Sequence, residues 1–183
     1  MTAVAVLPSV EYASAFLAML DDFDANDPHN TEFYAPARED FGAYVRSLLD
    51  EEAGRNLPQD FVPCTHRWLV SPGGRLVGVT RLRHNISTPF LAQHAGHIGY
   101  DVAPSERRKG YGHLALSVAL REARRIGLGR VLLYTAEDNA PSRATIQRAG
   151  GELEGISFSE FWHERLCSYW LAVPEASQET PSK

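Results

Sequence analysis

The residues best equipped for chemistry are Arg107-Arg108-Lys109-Gly110-Tyr111-Gly112, three basic side chains followed by two glycines one residue apart. They stand where a strand is expected to run into a helix: Pro104 closes an extended segment, and an amphipathic stretch begins at Gly112. A helix starting there turns unpaired backbone N–H groups and the positive end of its dipole toward one spot. The three cations add counter-charge, so the expected occupant is an anion such as a pyrophosphate. Glycine suits the turn because a Cβ would hold phosphate oxygens away from the backbone, and because the turn can demand a positive φ. The same residues would also make a plain strand-to-helix turn with a solvated basic surface, so context has to separate the two. A dinucleotide fingerprint is excluded, since no third glycine follows at its spacing and the preceding strands read as a hairpin. A triphosphatase loop is excluded because no Gly-Lys-Ser/Thr ending is present.

The flanking elements supply that context. Ala3 to Leu7 reads as a short strand, and Tyr12, Phe16, Leu20 and Phe23 recur at helical spacing. Phe41, Tyr44, Val45, Leu48 and Leu49 predict a second helix after Glu39-Asp40, stopped near Gly54. Trp68-Leu69-Val70 and Leu76-Val77-Gly78-Val79 flank Ser71-Pro72-Gly73-Gly74, a hairpin pattern. His97 to Val102 is a fourth strand leading into the basic loop. Leu116, Ala119, Leu120 and Ala123 share one face of the helix from Gly112 to Ile126, which Gly127 caps. Val131-Leu132-Leu133 predicts a buried strand, Asn139 and Pro141 open another helix ending at Ala149-Gly150-Gly151, and two further strands lie near 152–158 and 166–173.

A chain of 183 residues suits one α/β domain, read as 1–173 with a polar, flexible tail over 174–183. A net charge of −5 argues against nucleic acid as a partner. Cys64 and Cys167 are too few and too far apart for a disulfide scaffold or zinc knuckle, and read as reduced thiols. Pro8 interrupts the N-terminal apolar run, which lacks a basic leader, and no stretch is long enough to span a membrane. A cytoplasmic protein with no membrane partner is the expectation. No metal is expected, because His94 and His97, three apart on a strand, would point to opposite faces.

Arg107 to Gly112, read as Arg-x-x-Gly-x-Gly between the fourth strand and the helix that follows it, resembles the hallmark of the GCN5-related N-acetyltransferase family. Val131 to Tyr134, Asn139-Ala140-Pro141-Ser142-Arg143 and Ala149-Gly150-Gly151 resemble its second block at the expected separation. Gly96-His97-Ile98-Gly99-Tyr100 before Pro104-Ser105-Glu106-Arg107 is similar to a little-characterised bacterial branch of that family. The likeness runs from about Thr65 to Val173. It implies a single-domain α/β fold with a mixed, strongly twisted sheet of six or seven strands and helices on both faces. It also implies that strands four and five splay apart around the pantetheine arm of acetyl-CoA. By position, Val102 would meet that arm, Arg107, Arg108, Lys109, Gly110, Tyr111, Gly112 and His113 the pyrophosphate, and Asn139 and Ser142 the rest of the cofactor.

The implied reaction moves an acetyl group to a primary amine of a small molecule or peptide, with no metal; a homodimer is left open. Acyl transfer needs a neutral nucleophile, a site for the developing oxyanion and a proton for the departing thiolate. Backbone N–H groups near Tyr100 to Val102 would meet the oxyanion if the strand bulges there. The position where many family members carry a proton-donating tyrosine is Ile146, which leaves Tyr134 as the substitute by reach. His97 is the candidate base, with His84 and Asp101 as rivals. Phe33, Tyr34, Trp162, Tyr169 and Trp170 are candidates for an acceptor pocket or for core. A non-catalytic acyl-CoA sensor and a binding module for another phosphorylated ligand are the competing readings.

Overall fold

Alternating apolar residues fold the first part of the chain into an antiparallel meander, in a computed structural model that describes residues 3–28 and 31–175. β1 (Val4–Val6) pairs with β2 (Cys64–Val70), β2 with β3 (Leu76–Arg83), and β3 with β4 (Ile98–Val102). Three helices precede the hairpin: α1 (Ala13–Asn26), α2 (Ala35–Glu39) and α3 (Phe41–Glu52). The Asp40 carboxylate accepts the Ala43 N–H at 2.8 Å and so starts α3 where the sequence predicts. The five-residue α2 has too few positions to show a helical period, and it was not foreseen.

α4 (Tyr111–Arg125) crosses from β4 to the second part of the chain, where β5 (Arg130–Ala136), α5 (Ala140–Arg148), β6 (Glu152–Ser159) and β7 (Glu164–Ala172) follow. These strands form an antiparallel sheet in the order β5-β7-β6. The expected α/β fold of seven strands is present, divided into a four-stranded and a three-stranded sheet that meet at one bridge, Gly96 to Leu133.

Helices cover both faces of the first sheet, because alternate residues of a strand point to opposite sides. Phe16, Leu20 and Phe23 of α1 and Val45 and Leu48 of α3 pack on Trp68, Leu76 and Val79. Ala115 and Val118 of α4 pack on Leu69 and Val77 from the other side. Leu116, Ala119, Ala123 and Ile146 cover Val131, Leu133, Cys167, Tyr169 and Leu171 of the second sheet. Phe16 is fully buried, with its ring 4.8 Å from that of Trp68, and burial of a side chain this size stabilises by about 2–3 kcal/mol. Both cysteines are buried free thiols. Among the described residues no helix is long and apolar enough to cross a membrane. Of the tail expected at 174–183, residues 176–183 lie outside the described residues.

Candidate functional site

Everything at the site follows from how β4 leaves β5. A turn of π-helix, Leu91–Ala95, closes with the Gly96 N–H donating to Leu91 O at 2.7 Å, and Gly96 takes φ 67° and ψ −163°. His97 then clasps the other sheet twice: its N–H donates to Leu132 O at 2.7 Å, and its Nδ1 accepts the Leu132 N–H at 3.0 Å. Beyond this clasp the strands separate. A cavity of about 400 Å³ opens between them, lined by Ile98, Gly99 and Tyr100 of β4 and Tyr134, Thr135 and Ala136 of β5.

The edge of β4 that faces this cleft can be assigned from ladder parity. Arg83 N–H donates to His97 O and Ala103 N–H to Val77 O, so residues 99 and 101 bond β3 while Tyr100 and Val102 turn their backbone groups the other way. The β3–β4 register is regular, without the bulge anticipated near Tyr100 to Val102. Ladder alternation presents those N–H groups to the cleft unaided. Val102 O accepts from Arg107 Nε at 3.2 Å.

At the end of β4 the chain enters α4 through two left-handed residues, Arg108 at φ 66° and Gly110 at φ 87°. The first bond within α4 is Leu114 N–H to Gly110 O, so the N–H groups of Tyr111, Gly112 and His113 have no carbonyl of their own helix to meet. No side chain caps the helix, and a Cβ built on Gly110 would meet no atom within 4 Å. Unpaired N–H groups at a helix start, with open space at Gly110, suit an anion. Gly112 is pressed between Tyr100 and Thr145, each 3.7 Å from where its Cβ would sit.

The three basic residues do not act alike. Arg107 ion-pairs with Asp27 and lies over the Phe23 ring, tying the end of α1 to β4. Lys109 Nζ donates to the buried Glu106 carboxylate at 3.0 Å, and Arg75 approaches the other oxygen at 2.5 Å without hydrogen-bond geometry. Arg108 is exposed and has no partner among the described residues, so it is the cation of the three left for a ligand.

Across the cleft, Asn139 caps α5 by accepting the Ser142 N–H at 3.1 Å, and Ser142 Oγ lies 3.0 Å from the Tyr100 hydroxyl. Ile146 is buried one turn further on. Tyr134 lines the cleft, but its hydroxyl donates to Ala92 O at 2.7 Å, which commits the proton a departing thiolate would need. His97 needs correction as a base. It is buried, its Nδ1 lone pair is occupied by Leu132, and burial and then the Arg83 guanidinium push its pKa down to about 4. The rivals are committed too: His84 Nε2 bonds Thr65 Oγ1 at 2.8 Å, and Asp101 accepts from Tyr34 at 2.6 Å and pairs with Arg81 at 2.9 Å.

A second cavity, of about 520 Å³, adjoins the first and shares Phe33, Arg81, Arg83, Ala95 and Trp162 with it. Three segments build its mouth: the Phe33 and Trp162 rings lie 5.9 Å apart, Phe90 lies 6.1 Å from Trp162, and Trp162 Nε1 donates to His94 O. Phe33, Tyr34 and Trp162 are therefore pocket residues. Tyr169 is core, and the Trp170 ring carries the Arg130 guanidinium 4.1 Å from its centroid.

On the far wall, His66 Nε2 meets Glu51 Oε2 at 2.7 Å, beside Cys64. Burial opposes charge on His66, but Cys64 and Glu51 outweigh it and raise the pKa to about 9, against an ordinary 6.5. A raised folded-state pKa contributes stability in full below about pH 6.5, lost as pH rises through about 9. His66→Gln is therefore expected to cost more stability at pH 6 than at pH 10, measured by urea unfolding at both. Equal losses would refute a charged His66.

Sequence reasoning missed Arg81, Arg83, Tyr100 and His94 as cavity residues. Strand alternation could have put Arg81 and Arg83 on one face, but only the packing of α2, the π-turn and Trp162 makes that face a cavity wall.

Among curated proteins none is significantly similar in sequence. Solved structures with the same fold are many. RimL, the ribosomal L7/L12 alpha-N-protein acetyltransferase in complex with coenzyme A, superposes with a TM-score of 0.72 at 16% identity over 94% of this chain and 95% of its own. The ribosomal-protein-S5-alanine acetyltransferase from Vibrio fischeri gives 0.70 at 17% identity, covering 96% and 95%. The microcin C7 self-immunity acetyltransferase MccE, in complex with acetyl-CoA and AMP, gives 0.69 at 16%, covering 94% and 93%. At these identities the likeness speaks for the fold. The sequence profile described as the acetyltransferase (GNAT) family matches residues 18–151, well over half of the chain, and the protein belongs to that family.

Proposed function

We propose that the protein transfers an acetyl group from acetyl-CoA to a primary amine of a small molecule or peptide by direct attack in a ternary complex. The observation that carries this is the cleft between β4 and β5, which shares a wall with a second, largely apolar chamber. The bare N–H groups of α4 start beside its lining residue Tyr100, whose ring is 3.7 Å from the Cβ position of Gly112. Similar folds bound to acetyl-CoA and to coenzyme A support the cofactor, and both a ribosomal-protein and a self-immunity acetyltransferase occur among them.

In this reading Arg108 and the N–H groups of Gly110, Tyr111, Gly112 and His113 hold the pyrophosphate, while Arg107 and Lys109 hold the loop. Val102 N–H and the backbone of Tyr100 meet the amides of the arm, and Asn139 and Ser142 flank it from α5. When bound, acetyl-CoA supplies an activated thioester and takes up a proton as free thiol. The outward N–H of Tyr100 serves the oxyanion, in place of a bulge, which leaves Val102 N–H and the Tyr100 carbonyl to the arm. The Tyr100 and Ser142 hydroxyls, sharing one hydrogen bond, supply the proton that the residue at Ile146 does not. In the cavity between β4 and β5 the imidazole is that of His94 rather than His97; its Nδ1 bonds Ser159 Oγ at 2.9 Å, and Nε2 is left to accept the amine proton.

The direct test is free-thiol release from acetyl-CoA with an amine panel. Tyr100→Phe is expected to lower kcat about tenfold or more with little change in KM, and Tyr134→Phe to have a much smaller effect. The reverse order would return the proton to Tyr134. Buried Ile146 keeps one other reading in view, a non-catalytic acyl-CoA sensor. Tight cofactor binding with no thiol released from any amine would favour it.

A further inference from the structure

The wall shared by the two cavities carries more positive charge than the protein balances. Arg81 has its counter-ion, with Asp101 Oδ2 2.9 Å from Nη2. His66 has Glu51. Arg83 has no carboxylate within salt-bridge distance among the described residues: its Nη1 donates to two backbone carbonyls, Ala95 O at 3.4 Å and Gly96 O at 3.2 Å. Arg83 lines both cavities, and its Nε and Nη2 have no partner among the described residues. Asp60 and Glu164, the remaining acidic residues of the two linings, are exposed.

A largely buried cation without a counter-ion is unfavourable unless a ligand brings one. Burial and then the nearby Arg81 lower the pKa of Arg83, and the more distant pull of Cys64 and Glu51 does not make up the difference. The missing charge is a single unit, which matches a carboxylate; a phosphate monoester carries nearly two and would call for a second uncommitted cation. The free Nε–Nη2 edge of the guanidinium, with two parallel N–H donors, is also shaped for a carboxylate. Away from the Arg81, His66 and Glu51 groups the second cavity is lined largely by apolar and aromatic side chains, with Phe33, Tyr44, Phe61, Phe90 and Trp162 around it.

We infer that the acceptor is an amine that also bears a carboxylate and an apolar side chain, the carboxylate seated on Arg83 and the side chain among these rings. Hydrophobic amino acids are the simplest members of the class. The inference rests on the acetyl-transfer reading for the amine, but not for the carboxylate.

The experiment uses matched pairs that differ only in the carboxylate, phenylalanine with phenethylamine and leucine with isoamylamine. Each is assayed for thiol release from saturating acetyl-CoA, and for binding by calorimetry to protein loaded with coenzyme A. The expected result is a preference for the acid of about tenfold or more in kcat/KM, because an analogue lacking the group leaves Arg83 unpaired. Arg83→Met should abolish that preference with coenzyme A affinity unchanged, and Arg83→Lys should keep part of it. A residue that merely holds the π-turn would change stability and leave the preference intact. Equal turnover of the amines, an unaltered preference in Arg83→Met, or coenzyme A affinity lost with Arg83 would overturn the inference. If no thiol appears, binding of the acids that Arg83→Met removes upholds carboxylate recognition and sinks acetyl transfer. Absence of binding by the acids overturns the inference itself.

Discussion

Gly110→Val is expected to abolish useful affinity for coenzyme A while leaving a folded protein. The substituted carbons would occupy the space above the N–H groups of Tyr111, Gly112 and His113, where no protein atom comes within 4 Å of the Cβ. Because nothing in the protein is displaced, folding loses only the strain of a β-branched residue at φ 87°, about 1–2 kcal/mol. The ligand loses charge-assisted hydrogen bonds of about 1.5–3 kcal/mol each, so a fall in affinity of about 100-fold or more follows. Calorimetry with coenzyme A reads the first effect and thermal unfolding the second. An affinity like that of the parent protein would remove the pyrophosphate from this loop.

Gly96→Ala should act in the opposite sense, on the fold first. Its Cβ would lie 2.4 Å from Leu132 O and 2.9 Å from the Leu132 carbonyl carbon, both backbone atoms of β5. The residue also occupies φ 67° and ψ −163°, a region essentially reserved for glycine. Relieving the clash means prising β4 from β5, which also breaks both His97–Leu132 bonds. A loss of about 3 kcal/mol or more is expected, a drop in Tm of about 6–12 °C for a chain of this size. Hydrogen exchange at the Leu132 amide should quicken at the same time. An unchanged Tm would mean that the bridge is not a structural constraint.

What could be read in the sequence was what local rules decide. The Gly110 turn, the Asn139 and Asp40 caps, the hairpin around Ser71 to Gly74 and the period of α4 are set by residues within a few positions of one another, and each stands where expected. The roles that changed depend on partners far along the chain. Arg107 is claimed by Asp27, 80 residues earlier, and His97 by Leu132, 35 residues later. Nothing beside His97 distinguishes an imidazole that accepts a backbone N–H from one that takes a substrate proton. Tyr100 is the converse case. In sequence it is one aromatic residue of a strand, and only α5, folding across β4, brings Ser142 to its hydroxyl.

The one seam between the sheets also bears on how the protein melts. Each sheet is complete on its own terms, with β4 the last strand of one and β5 the outermost strand of the other. A ligand lying in the cleft against the outward amides of β4 would take the place of a missing strand, held on one side by backbone and on the other by α5. Affinity and mechanical integrity are then one quantity. The filled protein should unfold as a single body, with a melting point that climbs with the logarithm of ligand concentration. The empty one should loosen first along the line from Gly96 to Ser142.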